Sequence, residues 1–230
     1  MTEDRAPVAP VLPQPTALRL QILTTEHWSL LASRGLAWNE SFTRAGMYLS
    51  TLAGAMVALG LVGSVDGFGD AFVAFALVIL PVVLFVGIAT FFRMGAANYH
   101  DAMCVLGMNR IRGAYLELAP DLEPYFVMGV HDDRPGVTLT MAIPPGMPTI
   151  VHVIAATPFV TNVLNGAVAG AIAAIGAIRL LGLGIVPTLG VAALVAVGTL
   201  VVQLRVVAGN MRRGGAIRPL FPTPSTAGRP

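Results

Sequence analysis

The stretch AGMYLSTLAGAMVALGLVGSVDGFGDAFVAFALVILPVVLFVGIATFFR (45–93) holds two runs without a charged side chain, 45–65 and 71–92, parted only by Asp66, Gly67, Phe68, Gly69 and Asp70. A bilayer core about 30 Å thick demands roughly 20 mostly apolar helical residues, and both runs meet that length. The five residues between them leave room for a tight reversal and nothing more. The stretch therefore reads as an antiparallel transmembrane hairpin.

Two further runs of the same kind follow at 155–178 and 180–204, divided by Arg179 and a cluster of Gly182, Gly184 and Pro187 that supplies a turn. Composition agrees with four spans: hydrophobic residues make up 55% of the 230 and charged residues 11%, against about 25% charged in soluble domains. The expected fold is all-α and polytopic, with four transmembrane helices in two hairpins and a helical cytoplasmic layer. Its segments are a disordered N-terminus (1–15), an amphipathic helix (16–44), hairpin one (45–92), a cytoplasmic helix and loop (93–154), hairpin two (155–204) and a basic disordered tail (205–230).

Orientation follows from arginines, since lysine is absent and the positive-inside rule counts basic residues in short loops. Four spans put Arg5, Arg19, Arg34, Arg44, Arg93, Arg110, Arg112, Arg134, Arg205, Arg212, Arg213, Arg218 and Arg229 on one side and Arg179 on the other, thirteen against one. Both termini and the middle segment are expected in the cytoplasm of an inner-membrane protein. The acidic, proline-rich start has no apolar core, so no signal peptide is expected.

Outward from the hairpin, Leu20, Leu23, Leu30 and Leu31 with Trp28, Trp38 and Phe42 fit an amphipathic helix leading into the first span. Trp28 lies too far from the span for a straight helix to keep it at the headgroups. Either the helix bends near Gly35 and lies in the interface, or its tryptophans pack against the other cytoplasmic segment. Trp38 and Phe42 suit an aromatic belt, and Arg44, Arg93 and Arg205 bound the spans as interface anchors.

After the second span, 93–118 continues as a helix that Pro120 and Pro124 stop. Arg110 and Arg112 precede Glu117, Asp121 and Glu123, a pattern for local salt bridges or a docking face. HDDRPG (131–136) reads as a polar turn, and TLTMAI (138–143) has weak strand character. His100, Asp101, Cys104, His131, Asp132, Asp133 and His152 lack the spacing by which one element presents two metal ligands, and no metal or other cofactor is expected. No catalytic signature occurs, so no enzyme is expected. The net charge of +2 gives no argument for a nucleic-acid partner.

The spans contain no Asp, Glu, Lys, Arg or His, which disfavours pumps and ion-coupled transporters. They do carry small-residue faces: Asn162, Gly166, Gly170 and Ala174 in the third span, and Gly46, Ser50 and Gly54 in the first. These serve contact within the chain or between chains. In an oligomer, Asp66 and Asp70 would form an acidic ring at an outer mouth.

The segments LQILTTEHWSLLASRGLAWNESFTRAGMYLSTLAGAMVALGLV (20–62), LPVVLFVGIATF (80–91), MNRIRGAYLELAPDLEPYF (108–126) with its trailing HDD (131–133), and ATPFVTNVLNGAVAG (156–170) resemble an uncharacterised family of four-span actinobacterial membrane proteins. That likeness covers roughly 20–177 and implies the four-span layout, with no activity to carry over. The layout of the first half also resembles SLATT membrane effectors, which implies membrane perturbation after a nucleotide sensor is triggered. The second pair of spans departs from that layout. The expected function is a membrane interaction or signalling component, or an oligomeric effector; the alternative is a channel or transporter subunit for a small solute. Its partners are the lipid bilayer, a second copy and a cytoplasmic protein.

Overall fold

The computed structural model describes residues 16–143, 157–213 and 218–224. The expected disordered N-terminus, His152 and the end of the tail lie outside them. The fold is all-helical, with no strand among the described residues: α1 (Thr16–Asp66), α2 (Asp70–Leu118), a 3-10 turn (Pro120–Tyr125), α3 (Arg134–Thr140), α4 (Thr157–Leu181) and α5 (Ile185–Arg213). α1, α2, α4 and α5 are each long and apolar enough to cross a membrane, as a multi-pass membrane protein requires.

The reversal between α1 and α2 closes as the sequence dictates. Gly67 adopts a left-handed φ of +59°, and the Phe68 N–H donates to Gly63 O at 3.2 Å, a Schellman stop. The Phe68 ring lies over Gly63, where a Cβ would meet it at 2.6 Å. The Asp66 carboxylate then accepts the Phe72 N–H (2.9 Å), capping the start of α2. Pro158 sits at the start of α4 and Pro187 at the start of α5, where proline is tolerated.

α2 is central, with α1 along one side and α4 along the other, and α5 packs chiefly on α4. Tyr48, Ala55, Ala76, Leu80, Val83 and Val168 form the small shared core. The outward surfaces are apolar: Met56, Leu61, Phe85 and Leu194 are all largely exposed, which suits lipid and not water. At the hairpin ends Arg179 reaches Asp70 Oδ1 at 2.9 Å and donates to Phe68 O at 3.2 Å, tying the two hairpins together.

Beyond the spans, α1 and α2 continue as an antiparallel stalk. Its 16–44 half is roughly 43 Å long at 1.5 Å per residue. α1 stays helical through Gly35 and packs along α2, which is the second of the two expected arrangements for the helix, with Trp38 on α2 and Trp28 left exposed. Polar clasps join the two helices from base to tip. Arg93 grips Glu40 with two bonds (2.7 and 2.9 Å), and Arg44 adds a third at 2.9 Å. Arg34 and the Trp38 indole both donate to Asp101 (2.6 and 2.9 Å). Leu30 fills the space left by Gly107, and His27 stacks on Tyr115 at 6.2 Å.

Thr138–Thr140 belong to α3, not to a strand. Asp133 caps that helix by accepting the Gly136 N–H (3.1 Å), and a proline stands in its first turn. The tail also departs from the expectation. Residues 205–213 extend α5, and 218–224 are docked against α2 and the 131–133 turn.

Candidate functional site

Two polar assemblies stand out, one within the hydrocarbon and one at the stalk. Within the hydrocarbon, Tyr48 of α1, Asn162 and Asn165 of α4 and Gln203 of α5 are each at most 4% exposed. Asn165 donates to Gln203 Oε1 at 3.1 Å and Asn162 to Leu200 O at 3.2 Å. Gly87 of α2 completes the cluster, because a methyl there would overlap the Asn165 amide oxygen and the Tyr48 ring. The Tyr48 hydroxyl, Asn162 Oδ1, Asn165 Oδ1 and Gln203 Nε2 have no partner among the described residues. Neutral polar groups in hydrocarbon are costly when unpaired, so their convergence from separate helices distinguishes this spot from the apolar remainder.

At the stalk, the His131, Asp132, Asp133 turn holds the chain's own C-terminal segment. Asp132 is buried and accepts Arg110 Nε (2.7 Å), the Leu220 N–H (2.8 Å) and the Phe221 N–H (2.8 Å). Asp133 accepts the Thr223 N–H (2.7 Å) and hydroxyl (3.0 Å), and Arg110 donates to Arg218 O at 3.2 Å. Phe221 packs over Gly113, 3.6 Å from the position of an added Cβ.

Burial pushes the Asp132 carboxyl upward, but the Leu220 N–H, the Arg110 guanidinium and the Phe221 N–H outweigh it and hold the group below its ordinary range. Asp133 is likewise pushed up by burial and held down overall, mainly by the Thr223 and Gly136 N–H groups. Beneath the turn, the buried Asn109 donates to His131 O (2.8 Å) and accepts from Thr140 (2.7 Å) and Arg112 (3.0 Å). Arg110 and Arg112 thus serve this network. The arrangement is suited to gripping an extended peptide, and its carboxylate oxygens are already engaged in doing so.

The remaining sequence candidates fall into separate places. Gly166 and Gly170 press against α5 within the chain, where an added Cβ would stand 2.9 Å from Ala196 O and 2.8 Å from Ala192 O; Ala174, one turn on, is half-buried. Gly46, Ser50 and Gly54 are exposed on the outer face of α1, with no atom of the described residues within 4 Å of a Cβ at either glycine. Trp38 and Phe42 pack on each other at 5.7 Å and remain about half exposed. Arg44 and Arg93 converge on Glu40, whose carboxyl their hydrogen bonds lower to about 2; Arg205 is exposed on α5. Asp70 pairs with Arg179 and Asp66 caps α2, so both carboxylates have local uses.

Among the metal candidates, Asp101 serves Arg34 and Trp38, and His100 Nε2 lies 3.6 Å from Cys104 Sγ. Sequence reasoning passed over Tyr48, Asn165 and Gln203 because it searched the spans for ionisable groups. The Asn162, Asn165 spacing on the small face of the third span was the available signal. No protein family, curated protein or solved structure matches this chain.

Proposed function

We propose that this chain is a self-associating interaction component of the cell inner membrane, with its termini and stalk in the cytoplasm. The observation that carries the reading is a seam along the exposed flank of α1 in the stalk. Trp28, Leu31, Gly35, Trp38 and Phe42 recur at alternating three- and four-residue steps and are all exposed. Trp28 is 65% exposed, and no atom of the described residues lies within 4 Å of a Cβ at Gly35. That spacing is the apolar seam of a coiled coil without its second strand.

The occupant that suits the seam is a second copy of α1. The same helix carries on into the bilayer with the open Gly46, Ser50 and Gly54 face, so a partner must offer aromatic packing in water and close approach in lipid. A parallel copy satisfies both conditions by symmetry. The arginines support the cytoplasmic side: Arg19, Arg34, Arg44, Arg93, Arg110, Arg112, Arg134, Arg205 and Arg218 lie toward the stalk, with Arg179 at the opposite end. The engagement of Asp66 and Asp70 within the chain favours this reading over a channel or transporter subunit with an acidic outer ring.

The test is disulfide trapping in native membranes with Gly35→Cys, because the natural Cys104 is buried. An oxidant should produce a dimer in Gly35→Cys membranes, and adding Trp28→Ser with Leu31→Ser should abolish it without unfolding the monomer. A Gly35→Cys protein that stays folded and monomeric after oxidation would refute the proposal.

A further inference from the structure

The polar cluster between the two hairpins carries an inference independent of self-association. Four side-chain atoms from α1, α4 and α5 are buried there without a partner among the described residues: the Tyr48 hydroxyl, Asn162 Oδ1, Asn165 Oδ1 and Gln203 Nε2. They form a mixed set. The two carbonyl oxygens accept, the amide nitrogen donates, and the hydroxyl does either. Turning the Asn165 and Gln203 amides together preserves their mutual bond and still leaves each with one unpaired group. A cation would face an amide N–H₂, and an anion would face carbonyl oxygens. The set matches a neutral molecule that donates and accepts.

Size narrows the class. Asn165 and Tyr48 already take the space of a side chain at Gly87, so an occupant beside them can be no larger than water. Depth gives the route. Tyr48 is three residues and Gly87 five residues inside the stalk-side ends of the charge-free runs, roughly 5 and 8 Å at 1.5 Å per residue. We propose that Tyr48, Asn162, Asn165 and Gln203 form an internal water site at the joint of the two hairpins, filled from the stalk side and exchanging with solvent. Water bridging there satisfies groups that hydrocarbon cannot.

The experiment is millisecond hydroxyl-radical footprinting of the full chain in lipid nanodiscs, in which an ordered water is activated in place and labels the side chain beside it. Tyr48 should take up oxygen despite being inaccessible from the surface, and in water enriched in the heavy oxygen isotope the label should be heavy. Phe91, also buried and packed edge-on against Phe92, is the internal negative control, and Tyr125, at 79% exposure, is the positive one. Asn165→Leu and Gln203→Leu, each confirmed as folded by its melting curve, should lose the Tyr48 label while keeping that of Tyr125. A wild-type Tyr48 as silent as Phe91 would overturn the site, as would a Tyr48 label unchanged in both folded variants.

Discussion

The two small-residue faces look alike in sequence and should respond oppositely to the same substitution. Replacing Gly166 or Gly170 by alanine puts a methyl 2.9 Å from Ala196 O or 2.8 Å from Ala192 O, against 3.4 Å for ordinary contact. Backbone carbonyls cannot swing aside as a side-chain tip does, so α4 and α5 must part by 0.5 to 0.6 Å. Overpacking of this kind costs about 1–3 kcal/mol per site. The double variant should cost less than the sum, because one displacement of α4 relieves both clashes. The same displacement strains the Asn162 to Leu200 and Asn165 to Gln203 bonds, each worth about 0.6–2 kcal/mol between membrane helices. Within one chain Gly46→Ala and Gly54→Ala meet open space among the described residues, so the monomer's stability should be unchanged or rise by up to about 1 kcal/mol, while the oligomer fraction should fall if a second copy packs on that face. The assay is thermal unfolding of purified protein in one lipid mixture, with monomer and oligomer fractions recorded by size-exclusion chromatography. Gly166→Ala and Gly170→Ala with unchanged midpoints would refute the assignment of the 166/170 face to contact within the chain.

Truncation after Phe221 keeps both N–H donors to Asp132 but removes the two Thr223 donors to Asp133, and should lower the melting midpoint less than truncation after Arg213, which strips both carboxylates; hydrogen exchange over 129–140 should rise more in the longer deletion. Membrane insertion should survive both truncations, and its loss would show that the segment acts in assembly. Acidification should release the same segment: Asp132 and Asp133 have folded-state values below the unfolded value of about 3.9, so their contribution is present above that value and lost as pH falls through the folded ones. Exchange over 129–140 that opens near neutral pH would contradict this. Reporter fusions at Ala6, Gly136 and Gly228 should report the cytoplasm and a fusion at Phe68 the outside; an exported Gly136 would overturn the orientation.

The spans could be read from sequence because the bilayer imposes one demand, an uninterrupted charge-free length, that needs no knowledge of the partner helix. The turn at Gly67 was readable for a similar reason, since five residues between two spans admit only a tight reversal. Where a partner decides the outcome, local pattern was silent. Gly46, Ser50, Gly54 and Gly166, Gly170 carry the same spacing, yet only the second pair meets a neighbour, Ala192 and Ala196, two residues with no distinctive signal of their own. Asp101 stood among metal candidates until Arg34 and Trp38, more than sixty residues earlier, came within 3 Å of it. The composition of PLFPTP (219–224) suggested disorder because it lacks periodic apolar residues. Its order comes from main-chain N–H groups, which every residue but proline possesses, meeting the carboxylates of Asp132 and Asp133. A motif search cannot register a ligand made of backbone. The carboxylates were visible in HDD, and the missing half of the argument was that a buried aspartate must find donors: with Arg110 supplying one, the others had to come from another part of the chain.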